Sequence, residues 1–168
     1  MNRKIIISSL VLLCLIALAA CSSAAPSTTE GNPLPAAQAG NAANASKVNL
    51  NTASADDFLA AIPGLGNRMV REFMEYRPYI SIQQFRREIG KYVDEAQVTA
   101  YESYVYVPIA INDSDAETLQ QIPGLSVDEA AALMAARPFA STEAFLTKLS
   151  EYVSADELET ANTYLGGN

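Results

Sequence analysis

Arg68 and Arg71 stand three residues apart, directly behind a glycine-spaced turn, Gly64-Leu65-Gly66-Asn67. That combination has a definite chemistry. The glycines let the backbone turn tightly and approach a ligand closely. The following helix offers unpaired N–H groups and the positive end of its dipole. Guanidinium groups at this spacing share one helix face. A phosphate suits such a constellation, and contacts of this kind address backbone and not bases, which makes binding sequence-independent and salt-sensitive. On sequence alone the glycine pair has a second explanation, a tight helix–helix corner without a ligand. Arg86, Arg87 and Lys91 fall on adjacent turns of one helix. They either extend the basic patch or form a solvated helix face.

Composition narrows the chemistry. The 168 residues include no histidine, so Ser-His or Cys-His nucleophile pairs and His-ligated zinc are excluded. Eleven Lys and Arg against nineteen Asp and Glu give a net charge of −8, which argues against a polyanion binder acting through bulk charge. Both cysteines, Cys14 and Cys21, lie in the first 21 residues, so no disulfide framework staples the fold. No carboxylate pair is set off by a pocket-forming context, and no metal or nucleotide motif is present. The expectation is a non-catalytic binding protein without cofactor or metal.

The elements that must position the arginines are written twice. Ile62-Pro63-Gly64-Leu65 returns as Ile122-Pro123-Gly124-Leu125, an offset of 60. The same offset pairs Leu59 with Leu119, Met74 with Met134, Arg77-Pro78 with Arg137-Pro138, Phe85 with Phe145 and Tyr92-Val93 with Tyr152-Val153. Asn51 and Asn112 correspond after a one-residue gap. The domain assignment is 47–107 for the first unit and 108–168 for the second.

Punctuation divides each unit into four short helices. Ser54-x-x-Asp57 opens the first. The second runs from about Asn67 to Tyr76, with Met69, Val70, Phe73 and Met74 on one face, and ends before Pro78. Ser81-x-x-Gln84 and Asp94-x-x-Gln97 open the third and fourth, with Ile82, Phe85, Ile89, Val98, Tyr101 and Val105 inward. Boxes at Ser114-x-x-Glu117, Ser126-x-x-Glu129 and Ser154-x-x-Glu157, with Ser141 as a plain cap, repeat the plan. Only Tyr104–Val107 alternates, as a short extended exit. The expected fold is all-α with eight helices, each marginal alone and held by packing across the unit and between units.

Upstream, Arg3 and Lys4 precede a 16-residue run from Ile5 to Ala20 with no Asp, Glu, Lys or Arg, too short for a bilayer core that takes ~20 residues. A basic start and a short apolar run ending in small residues form a secretory signal over 1–20. Leu18-Ala19-Ala20-Cys21 resembles a bacterial lipobox, which implies cleavage before Cys21 and lipidation of that residue; the alternative is an ordinary signal with an incidental cysteine. Two or more acyl chains on one residue anchor a protein stably. The implied location is the cell envelope, extracytoplasmic and lipid-anchored, with Ser22 permitting the outer membrane in a Gram-negative cell. Residues 21–46 carry the lipidated Cys21 and a flexible linker, whose 25 residues after the cysteine span roughly 25–30 Å as a random coil.

Ile62-Pro63-Gly64-Leu65-Gly66 resembles the helix-hairpin-helix motif, and the stretch from Val48-Asn49-Leu50-Asn51-Thr52-Ala53-Ser54 through Gly66 resembles the ComEA-type competence DNA receptors. The resemblance covers the first unit well and the second loosely. It implies two tandem four-helix helix-hairpin-helix units, SAM-like in fold, and non-specific duplex DNA binding through Gly64, Leu65, Gly66, Asn67, Arg68 and Arg71. Arg77-Pro78-Tyr79 before a serine-capped helix also resembles the extrinsic PsbU-type subunits, which use this fold to hold a protein complex together. That resemblance implies an envelope protein partner and no DNA.

The second unit departs from the first at the informative place. Ser126 replaces Gly66, and Val127, Asp128 and Glu129 follow, so the helix start is capped from within and carries two carboxylates. Residues 48–107 hold six basic and eight acidic residues, whereas 109–165 hold two and ten. With a Debye length of about 8 Å at ~0.15 M salt, local arrangement outweighs these totals. Ile89-Gly90-Lys91 and Leu149-Ser150-Glu151 lack a glycine pair, which makes the second hairpin of each unit structural. Tyr76, Tyr79, Tyr92, Tyr101, Tyr104 and Tyr106 belong to the core or, where exposed, to a protein interface.

Overall fold

The computed structural model describes residues 46–165, all within one compact unit. The signal over 1–20, Cys21 and most of the 21–46 linker lie outside the described residues. The order is β1 (Val48–Asn49), α1 (Ala55–Ala61), α2 (Asn67–Glu75), α3 (Ile82–Ile89), α4 (Glu95–Glu102), β2 (Val105–Tyr106), α5 (Ala116–Leu119), α6 (Val127–Ala135), α7 (Thr142–Leu149) and α8 (Ala155–Tyr164). Among the described residues the fold is all-α apart from β1 and β2, which pair in parallel with Val48 opposite Val105. Val48 N–H donates to the Tyr104 carbonyl at 2.8 Å and Leu50 N–H to that of Tyr106 at 2.9 Å. The exit segment was legible from alternation; its partner, two residues long, had no periodicity to reveal it.

Side-chain caps fix most of the helix starts. Reciprocal capping boxes form at Ser54/Asp57, Ser126/Glu129 and Ser154/Glu157, while Asp94 caps α4 and Ser141 caps α7. Two expected boxes are corrected. Ser81 accepts from Gln84 N–H, but the Gln84 carboxamide oxygen takes Ile80 N–H instead, so the box is not reciprocal. The cap of α5 is Asp115 and not Ser114, whose hydroxyl turns back to accept from Ala110 N–H at 2.9 Å. This aligns Ser54 with Asp115 and Phe58 with Leu119, both fully buried, and leaves Leu59 38% exposed. The one-residue gap therefore falls inside the first helix, and Leu119 is the counterpart of Phe58, not of Leu59.

Each half closes over its own core. In the first, the Phe73 ring meets those of Phe58, Phe85 and Tyr101 edge-on at 5.3–5.4 Å. In the second, Leu119, Leu133, Phe145 and Leu149 are fully buried, and Tyr164 stacks on Tyr106 at 4.4 Å. Tyr106 belongs to this second cluster although its neighbours Val105 and Val107 belong to the first. Alternate residues of a strand face opposite ways, so β2 serves both cores and the halves share material across the expected boundary.

Polar contacts lock the halves together. Fully buried Thr118 accepts from Ile82 N–H at 3.0 Å, satisfying an otherwise orphaned donor at the start of α3 from the opposite half. Gln121 bonds Val107 in both directions, at 2.8 and 3.1 Å. Arg86 reaches Glu117 at 2.6 Å.

Candidate nucleic-acid interface

The turn into α2 is built from the hairpin sequence. Gly64 has φ 73°, a left-handed conformation that favours glycine. Leu65 beside it is buried and anchors the corner, its N–H donating to Ile62 at 3.2 Å. Gly66 is different in kind. It is the N-cap of α2 in an extended conformation, φ −89° and ψ 152°, open to any residue, and a Cβ there would meet nothing within 4 Å. Folding therefore explains Gly64 and its counterpart Gly124 (φ 77°), but it does not explain Gly66.

The start of α2 is left open. No side chain caps it and no acidic residue occupies its first turn. Among the described residues, no acceptor is recorded for the N–H groups of Gly66, Asn67 and Arg68. Gly64, Gly66, Asn67, Arg68 and Arg71 are all exposed. The structure thus brings the expected hairpin residues together on one surface, with Leu65 serving as the buried anchor beneath it.

The other cations are held elsewhere. Arg77 donates to the carbonyls of Leu50 and Ala53 at 2.5 and 2.6 Å, and Arg137 to those of Ile111 and Ser114 at 2.9 and 2.7 Å. Lys148 pairs with Glu151, and half-buried Lys47 faces Glu102, burial lowering its pKa. Arg86 and Arg87 on α3, and Lys91 just beyond it, each meet carboxylates. Arg86 grips Glu102 with two bonds of 2.7 and 2.8 Å as well as Glu117, while Arg87 and Lys91 both pair with Glu88. The Lys91 hydrogen bond, with help from Arg87, holds the Glu88 carboxyl below its usual range. Among the described residues, Arg68 and Arg71 are the cations that are both exposed and without a carboxylate or carbonyl acceptor.

The second half fills the equivalent turn from within. Glu129 accepts from Ser126 N–H at 2.8 Å and from its hydroxyl at 2.7 Å, and these bonds lower the Glu129 pKa, the hydroxyl contributing most. Asp128 adds a second charge in the first turn. The Glu157 carboxylate, taken up by the Ser154 cap, lies where a Cβ on Gly124 would have to go. Gln97, without charge, stands at the matching position of the first half. Three carboxylates thus crowd the copy of a turn that is bare in the original.

Sequence reasoning missed the structural task of Arg77 and Arg137. The signal was available: the second unit has lost nearly every basic residue yet keeps Arg137 before Pro138. Asn51 and Asn112 complete this brace, exchanging two bonds each with the backbones of Tyr79 and Phe139 at 2.7–3.1 Å. None of the six tyrosines named above is exposed; Tyr76 and Tyr92 join hydroxyls at 2.7 Å, and burial pushes the Tyr79 pKa up. Among the described residues, no group of three or more His, Cys, Asp or Glu side chains is placed to hold a metal ion. The chain matches no protein-family model, no curated protein and no solved structure.

Proposed function

We propose that this protein is a lipid-anchored, non-catalytic DNA-binding protein of the cell envelope. Two tandem helix-hairpin-helix units follow the anchor, and only the first grips nucleic acid. One observation carries the proposal: an uncapped helix start at Gly66–Arg68, flanked by two arginines that no carboxylate of the described chain neutralises. An open N-terminus with converging cations is a phosphate seat. Backbone phosphates of duplex DNA supply that group without regard to sequence, and the absence of exposed tyrosines around the turn leaves little means of stacking on unpaired bases. The acidic second half keeps the duplex to one face of the molecule. A lipid on Cys21 and the linker behind it would hold that face off the membrane.

Fluorescence anisotropy of a labelled duplex titrated with the protein at low salt tests this. Binding that disappears in Arg68→Glu with Arg71→Glu, and persists in the exposed Arg87→Glu, is the expected pattern. Absence of binding at low salt, or equal loss in the Arg87 variant, refutes the assignment.

A further inference from the structure

Lys47 lines a cleft of about 760 Å³ between the halves, walled by Ile82 of α3, Ala116 of α5 and Val127 at the start of α6. The residue is half-buried, and burial is the leading cause of its lowered pKa, with the charge of Glu102 acting the other way. Drawing an ammonium out of water is costly unless an anion replaces the lost hydration. Among the described residues, Lys47 makes no ion pair and its ammonium has no recorded acceptor. The duplicated plan does not account for it either. The one-residue gap that aligns Asn51 with Asn112 puts Pro108 at the matching place.

The carboxylates of the cleft are already engaged. Both oxygens of Glu102 accept from Arg86, at 2.7 and 2.8 Å. Glu117 accepts from Arg86 with one oxygen at 2.6 Å and from Gln83 with the other at 2.8 Å. Gln121, in the same wall, is held by Val107. Two cations and two carboxylates balance in the lining, so no net charge draws a ligand in and direct bonds must hold it. Two groups are left to make them, the Lys47 ammonium and the carboxamide of half-buried Gln120, for which no partner is recorded among the described residues. A cleft of this size, with few free polar groups and a desolvated amine, suits a small molecule. We propose that the cleft between the halves binds a small aliphatic monocarboxylate, its carboxylate on Lys47 and Gln120 and its chain against Ile82, Ala116 and Val127. A second negative charge on the ligand would meet Glu102 or Glu117 and be repelled. The site shares no residue with the turn at Gly66 and does not depend on the DNA assignment.

Butyrate, butyramide and succinate, titrated separately into the isotope-labelled full-length protein and followed by nuclear magnetic resonance, test this. Butyrate should shift the resonances of Lys47, Ala116 and Gln120 to saturation. A bound carboxylate favours the ammonium form, so the Lys47 pKa, read from its side-chain resonances, should rise on binding. Butyramide has the same shape without the charge and should bind about tenfold more weakly or worse. Succinate, with its second carboxylate, should also bind more weakly. Lys47→Met keeps the apolar stem, removes the ammonium and should weaken butyrate about tenfold or more. Equal binding of butyrate to this variant overturns the proposal, and so does butyramide or succinate binding as tightly as butyrate. The two ligand comparisons use the unaltered chain, so they stand whether or not the variant folds. Failure of butyrate to give a saturable shift, or a Lys47 pKa that does not move on binding, overturns it as well.

Discussion

Replacing Gly66 by Asp separates what this turn does for folding from what it does for a ligand, because the two effects have opposite signs. The residue sits at an N-cap with φ −89° and ψ 152°, where a Cβ meets no neighbour within 4 Å, so an aspartate enters without strain. Asp is a better N-cap than Gly by a few tenths of a kcal/mol. For a folded unit of about 120 residues that raises Tm by about 1–2 °C. The same carboxylate occupies the position offered to phosphate. At ~4 Å the repulsion between the two is about 1 kcal/mol in water and rises to about 4 kcal/mol at an effective dielectric of 20. The site is open, so the lower figure applies and DNA affinity falls about fivefold, with a further loss for each N–H the carboxylate occupies. One neutralised phosphate fewer also flattens the slope of log K against log salt by about 0.9. Thermal melting and anisotropy over a salt series read both effects on one preparation. Gly66→Asn fills the same space without charge and is the control. Unchanged DNA affinity in a stabilised Gly66→Asp protein would refute the phosphate seat, and equal loss in Gly66→Asn would show that bulk, not charge, was at work.

In the unmodified protein, two arginine contacts give a salt slope near −1.8, so affinity should drop about 12-fold between 50 and 200 mM salt; anisotropy across that range measures it. Arg137→Ala removes two short bonds to the Ile111 and Ser114 carbonyls and should destabilise by roughly 2–4 kcal/mol in urea unfolding. Thr118→Val leaves the buried Ile82 N–H without an acceptor, a loss of about 1–3 kcal/mol, read as a lower urea midpoint. Asp57, Glu129 and Glu157 are held below the ordinary carboxylate range, the serine backbone N–H leading for Asp57 and Glu157 and the serine hydroxyl for Glu129. A lowered folded pKa contributes stability that is present above the unfolded value near ~4 and fades as pH falls below it. Urea midpoints should therefore drop between pH 5 and about pH 3, and less steeply when Ser54, Ser126 and Ser154 are all changed to Ala.

Much of the fold was legible because its signals are local. Serine and aspartate caps and the Pro-Gly corners each reside within a few neighbouring positions, and the 60-residue offset is found by matching such short strings. Inward residues such as Phe85, Ile89 and Val98 followed from helical spacing and are buried. The failures share a cause. Ser114 or Asp115 could cap α5 equally well on propensity, and only the Ala110 loop, folding back onto the Ser114 hydroxyl, decides between them. β1 forms because Tyr104 and Tyr106, more than fifty residues away in the chain, present carbonyls to it.

Caps and glycines act over three or four residues, so the bare turn at Gly66, the capped one at Ser126 and the eight helices of the described residues could be read from neighbouring positions. Which cations are free was settled only by the tertiary structure. Arg68, Arg71, Arg86 and Arg87 look alike as residue types, yet Glu102 and Glu117 come from other elements to engage Arg86. Arg77 is folded inward onto the Leu50 and Ala53 carbonyls. Charge is fixed by residue type, but its availability depends on which acceptors the fold carries within about 4 Å, and chain separation says little about that distance.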